Sequence, residues 1–265
     1  LNRELFSRNW AFISPELQDR LTQTCLLVAG TGMGSVFAVI AARTGFGRFI
    51  LADGDTVELS NLNRQAFNSD HLGMNKARAT QDILQKINPD VETEVIESYL
   101  ERETLGDPIT RSDIVVNTID YEHPAFLDCC HQARFHKRPS LLPINLGWGG
   151  AIFVFTPESP TFEETVGLIP GRPYPVAQIK QAVASRAMKA RPPRYALDVL
   201  SLLQNNTPAS WPYDPQLAVG VAVTASLLVQ AALSLVRQDN IRTAPYPIHI
   251  DFFDLIRESD STCDE

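Results

Sequence analysis

Between Cys25 and Pro89 the chain runs through an order of residue types that few folds accommodate. An apolar run, Cys25-Leu26-Leu27-Val28-Ala29, passes through Gly30-Thr31-Gly32-Met33-Gly34-Ser35 into small residues from Val36 to Ala42. A second apolar run, Phe49-Ile50-Leu51, then stops at Asp53. Short apolar runs bounded by turn residues read as buried strands, and the small-residue stretch reads as a helix. The segment therefore predicts strand, glycine turn, helix, strand and acid. Glycine allows a tight turn and close backbone approach to a phosphate. The helix start offers unpaired N–H groups and a partial positive charge, and an acid after the second strand suits ribose hydroxyls. The expected ligand is a nucleotide, with Gly30, Gly32 and Gly34 on its phosphate side and Asp53 at its ribose. A plain strand–helix connection uses the same glycines, and Ser35 stands where a GxGxxG pattern has its third glycine.

The residues beyond Asp53 narrow that choice. The run from Asp53 to Gln65 places Asp55, Asn61, Arg64 and Gln65 just past a strand end, where an open parallel sheet puts its ligand. A hydride-transfer enzyme needs one acid there and has no evident use for Asn-Leu-Asn-Arg-Gln. A triphosphate uses an arginine and a lysine to neutralise its oxygens and an acid to hold magnesium.

This run has the form Asp-x-Asp-x-Val-x-x-Ser-Asn-Leu-x-Arg-Gln, and Lys76 in Leu-Gly-Met-Asn-Lys-Ala and Ile87-Asn88-Pro89 follow it. The pattern resembles the ThiF/MoeB family, bacterial relatives of ubiquitin-activating enzymes that adenylate a carboxylate with ATP. The likeness extends from about Leu1 to Phe155 and weakens beyond. It implies a doubly wound, Rossmann-like α/β fold: a mostly parallel sheet with an N-terminal helical arm and a C-terminal antiparallel extension. It also implies ATP and Mg2+ as cofactors, with Arg64 and Lys76 on the phosphates and Asp120 supporting magnesium and pyrophosphate departure. Arg3 matches an arginine that reaches across a homodimer to the other subunit's ATP, and Arg8 repeats the family's spacing. The implied partner is a small carrier protein or peptide with a free C-terminal carboxylate. Where many relatives have an aspartate, this chain has Asn117. The family's two CxxC pairs, which hold a structural zinc, have no counterpart between Thr156 and Asp214, so no zinc site is expected.

The chain is expected to form one adenylation unit over 1–265: an arm (1–24), a nucleotide-binding core (25–156), a variable crossover (157–215) and a closing helix, strand and tail (216–265). Ser14-Pro15-Glu16 reads as a helix cap with proline at the first helical position. Ala77, Ile83, Leu84 and Ile87 mark one helix face. Val91–Tyr99, Asp113–Asp120, Ser140–Asn145 and Ala151–Phe155 read as strands, and His123–His136 as a helix. Gly147-Trp148-Gly149-Gly150 reads either as a loop flanking the carboxylate's approach or as a hairpin turn. Pro157–Pro175 reads as an extended loop, Val176–Lys189 and Arg194–Leu203 as helices, and Ile248–Phe253 as a closing strand before a mobile tail. Lys180, Arg186, Lys189, Arg191 and Arg194 form either a solvated basic face or a dock for an acidic carrier.

Composition limits the class. A hydrophobic share of 44% supports a core, and a net charge of −8 argues against a broad nucleic-acid or anionic-membrane surface. Four cysteines without CxxC spacing fit a reducing compartment, and no secretory leader pattern opens the sequence, so a cytoplasmic protein is expected. Leu217–Val236 is apolar for nearly a bilayer's width but carries Thr224, Ser226, Gln230 and Ser234, and reads as a buried helix. None of Cys25, Cys129, Cys130 and Cys263 lies in an activating setting, so covalent sulfur chemistry is not expected. His131 and His136 share no helix face suited to a metal. Three other readings remain open: a tRNA-modifying dehydratase of the same family, a non-catalytic partner subunit and an NAD-dependent oxidoreductase.

Overall fold

The computed structural model describes residues 4–190 and 215–256. The first apolar run forms β1 (Cys25–Ala29), buried along its whole length. β2 (Arg48–Ala52) pairs with it in parallel, with Leu26 opposite Phe49 and Ala29 opposite Ala52. β3 (Glu92–Ile96) lies outside β2, while β4 (Ile114–Asn117) pairs with the other side of β1 and β5 (Ser140–Asn145) with β4, all in parallel. β6 (Gly149–Phe155) then returns antiparallel to β5, and β7 (Ile248–Asp251) antiparallel to β6. The seven-stranded sheet has the order β3-β2-β1-β4-β5-β6-β7. It is the doubly wound α/β sheet, mostly parallel with an antiparallel extension, that the sequence implies.

Parallel strands buried on both sides need a helical layer on each face. Leu26 and Val28 of β1 enter one core with Phe37 and Ala41 of α2 (Met33–Thr44) and Leu84 of α3 (Lys76–Ile87). Leu27 and Ala29 enter the opposite core with Ile109 of α4 (Gly106–Arg111) and Cys129 of α5 (Ala125–Phe135). The alternation along β1 thus fixes which helices lie on which side. In the arm, Ser14 Oγ accepts the Leu17 amide at 3.2 Å and Pro15 opens α1 (Pro15–Gln23), as the cap signal predicts.

After α6 (Phe162–Val166) and α7 (Val176–Ala190), the next helix among the described residues is α8 (Ala218–Arg237), which is long and apolar enough to cross a membrane. Here it packs on α2, β5 and β6 and buries Val221, Ala225, Leu228 and Ala232, so the buried-helix reading holds.

Several boundaries differ from expectation. The strand read as Asp113–Asp120 ends at Asn117, so Asp120 lies beyond it on the rim. The expected extended loop contains α6, where Thr161 Oγ1 accepts the Glu164 amide and the Glu164 carboxylate accepts the Thr161 amide. Gly149 and Gly150 lie inside β6 rather than in the turn, so the glycine loop is a hairpin. β7 stops at Asp251, and Phe252–Leu255 is a helical turn, α9. The readings at Arg3, 191–214 and 257–265 fall outside the described residues.

Candidate functional site

The strand order turns around at β1, because the chain leaves β1 toward β2 and returns to β4 on its other side. A crevice opens there, outside the carboxyl ends of β1 and β4. It is a cleft of about 310 Å³. Gly30 forms its floor at φ +89°, and a Cβ there would stand 2.7 Å from the Thr118 carbonyl oxygen. Only glycine fits this left-handed turn. Gly32 is the N-cap of α2 and supplies no side-chain cap, so the helix begins at the cleft without a competing oxygen. Gly34 lies in the first turn of α2, outside the cleft walls. A Cβ there would meet Val28 Cγ1 at 2.6 Å, which makes it a packing glycine between helix and strand.

Asp53 closes the end of β2 at 9% exposure. Its Oδ2 accepts from the Thr31 amide at 2.6 Å, and its Oδ1 from the Asp55 amide at 2.9 Å. Burial pushes its carboxyl above the ordinary range, although the Asp55 amide and Lys76 pull it down. The polar run beyond it folds back over the cleft through a 3-10 turn, Leu59–Asn61, where Asn61 Oδ1 accepts the Glu58 amide at 3.0 Å. That turn carries Arg64 to the cleft wall. Its Nε donates to Gln216 Oε1 at 2.7 Å, and its Nη1 to the Ser60 carbonyl at 2.8 Å. Burial lowers the Arg64 pKa, against the opposing charge of Asp120. Gln65 Oε1 is buried in the same wall and has no partner among the described residues.

Lys76 begins α3, whose N-cap Asn75 accepts the amides of Ala77 and Arg78 at 2.9 and 3.1 Å. The cap fixes the lysine's entry, and its Nζ donates to Asp55 Oδ2 at 2.8 Å. Burial works to raise the Asp55 pKa, but hydrogen bonds from Lys76 and Tyr99 outweigh it and hold the carboxyl below its ordinary value. Asp120, on the loop after β4, is pushed up by burial and by the nearby carboxylates of Glu122, Asp55 and Asp53, while Lys76 opposes the shift. The cleft therefore gathers two cations and three acids from three separate segments.

Tyr99, His123 and Gln216 also line the cleft and were not singled out in the sequence. Tyr99 donates to Asp55, which pushes the phenol up to about 12, and its ring stacks on His123 at 5.2 Å between centroids. Tyr99 and His123 follow the carboxyl ends of β3 and β4, so the strand assignments carried a positional signal for them. Gln216 had none. The cysteines stand apart: burial raises the thiols of Cys25 and Cys129, and that of Cys130 to about 12. No group of three or more His, Cys, Asp or Glu among the described residues is arranged to hold a metal ion.

The ThiF family model matches residues 6–262. The chain belongs to the ThiF family. It is 32% identical over 143 residues to the sulfur carrier protein ThiS adenylyltransferase of Escherichia coli, the match covering 53% of this chain and 56% of that one. To the molybdopterin-synthase adenylyltransferase of Haemophilus influenzae it is 32% identical over 168 residues, 62% of this chain and 67% of the relative. The chain thus spans little more than half to two thirds of these relatives' lengths. Among solved structures, E. coli MccB superposes with a TM-score of 0.67 at 20% identity, covering 94% of this chain and 67% of that one. Another crystal structure of MccB contains ATP, with a TM-score of 0.61. At this identity the likeness is one of fold. In this ThiF-family chain the cleft brings together Gly30, Gly32, Asp53, Asp55, Asn61, Arg64, Gln65, Lys76 and Asp120. Gly34 stands behind it.

Proposed function

We propose that the protein adenylates a carboxylate with Mg-ATP, giving an acyl-adenylate and pyrophosphate. The observation that carries this reading is the convergence of Arg64, Lys76 and Asp120, from three separate segments, on a cleft floored by the Gly30 turn. The cleft suits the nucleotide: a Cβ-free floor at Gly30, a helix start without a side-chain cap, and the unpartnered Gln65 oxygen, which accepts a hydroxyl or amino donor. Asp53 takes the ribose hydroxyls. Magnesium in such sites is held mainly by phosphate oxygens and one or two carboxylates, so it needs no protein cage, and Asp120 is the carboxylate for it.

In the step itself, a carboxylate oxygen attacks the α-phosphorus, forming the acyl phosphate bond. The bond from the α-phosphorus to the bridging oxygen breaks, and its electrons leave with pyrophosphate. Arg64 and Lys76 offset the charge of the triphosphate, without which the incoming carboxylate would be repelled. Arg3, from the other subunit of a homodimer, adds a third cation. Trp10 and Phe12, exposed at 75% and 88% in the arm, support a partner surface there. The substrate is a small carrier protein or peptide with a free C-terminus, as the names of the relatives suggest, and the enzyme works in the cytoplasm.

The test is exchange of labelled pyrophosphate into ATP, driven by peptides with free C-termini. Arg64→Ala and Lys76→Ala should each lower it by a factor on the order of 100 to 1,000. Exchange at the wild-type rate in either variant would remove that residue from its role.

A further inference from the structure

Tyr99 sits just beyond β3 on the rim of the cleft, and at 52% exposure its ring does not serve a core. Two contacts fix it nonetheless. The ring lies against the Gly54 backbone, where a Cβ would stand 2.6 Å from it, and it stacks on His123. His123 is in turn held at the start of α5, its Nδ1 accepting the Ala125 amide at 3.2 Å. The braced hydroxyl donates to Asp55 Oδ1, while Asp55 Oδ2 takes Lys76 Nζ at 2.8 Å. A phenol and a cation thus share one carboxylate.

That sharing has a consequence for any polyanion entering the cleft. Lys76 Nζ has three N–H donors and gives one to Asp55; as it swings toward phosphate oxygens its hold on Asp55 loosens, and the carboxylate is left facing a like charge. Tyr99 is the donor that stays. We infer that Tyr99 is a positioning residue, holding Asp55 when Lys76 turns to the nucleotide and so setting how readily the lysine is released. This inference rests on the nucleotide reading above and extends it to a residue outside the motif. Removing the hydroxyl acts twice with the same sign. Asp55 grips Lys76 harder before the nucleotide arrives and is left barer afterwards.

Mg-ATP binding by calorimetry and ligand-free thermal unfolding, measured on wild type, Tyr99→Phe, Asp55→Asn and the double variant, test it. Phenylalanine keeps the stacking on His123 and the packing on Gly54. Tyr99→Phe should weaken Mg-ATP binding by a factor on the order of ten, the size of one hydrogen bond to a charged group. In the Asp55→Asn background the same change should do nothing, and its small effect on the melting temperature should vanish there too. A merely structural ring would give no loss in either background, and a hydroxyl acting on something other than Asp55 would give an equal loss in both; either result overturns the inference. If the wild type binds no nucleotide, the reading beneath it falls first and takes the inference with it.

Discussion

Two glycine-rich segments begin at the same edge of the sheet and do different work. The turn after β1 stands where the strand order reverses: Gly30 faces the Thr118 carbonyl and Gly32 the end of Gln65 at the crevice, while Gly34 packs on Val28 and Thr118 behind it. The segment after β5 turns back into antiparallel β6, and at the start of that strand a Cβ on Gly149 would run into the Ile250 carbonyl and on Gly150 into Thr224 of α8. Glycine in the first keeps the cleft open at Gly30 and Gly32. In the second it lets a helix and two strands close on one another. Composition does not separate the two; position relative to the switch point does.

Substitutions in each segment should split stability from binding. Gly150→Val drives a branched side chain into α8 and should cost about 3 kcal/mol in urea unfolding, with Mg-ATP affinity of the folded protein unchanged. A loss of affinity with no loss of stability would erase the contrast. Gly30→Ala should cost about 1–3 kcal/mol, because φ there is +89° and the Thr118 carbonyl is in the way, and should also lower affinity. Gly32→Ala sharpens the point. Its new methyl would meet only the end of Gln65, at 3.2 Å, so stability should fall by less than about 1 kcal/mol while affinity still drops.

A smaller effect lies in pH. Burial raises the Asp53 carboxyl above its ordinary value, so its protonation favours the folded chain at acid pH, and that contribution is lost as pH rises through the folded pKa. On the proposed reading, nucleotide binding needs the charged form. Its acid limb should therefore lie above the ordinary aspartate value, and because burial raises Asp120 as well, Asp53→Asn should make that limb shallower rather than remove it in calorimetric titrations across pH. A limb at or below the ordinary range would break the link between this acid and the ligand.

Much of this was legible in the chain. β1, α2 and β2 were readable because uninterrupted apolar runs end in glycine or acid, and the Asp53–Gln65 run because its charged and amide residues follow a strand end directly. Ser14-Pro15 gave the start of α1 for a local reason. α6 was missed under its flanking prolines although Thr161 and Glu164 carried a capping-box signal. The strand at Asp113 was drawn too long because Thr118 and Ile119 continue its apolar pattern after pairing has ended. Tyr99 and His123 meet only because β3 and β4 end at one edge, and Gln216 reaches Arg64 from 152 residues away. Contacts of that separation are set by topology, which no local pattern encodes.

The seating of α8 shapes what such a scaffold tolerates. Gly220 lies where a methyl would strike the Gly147 carbonyl, and Gly150 where one would strike Thr224, so the first turns of the helix sit directly against the sheet backbone. A joint of that kind has no slack. It acts as a fixed gauge for the sheet's antiparallel end, and a lineage changing what the cleft accepts would have to alter the loops around it and leave the gauge alone.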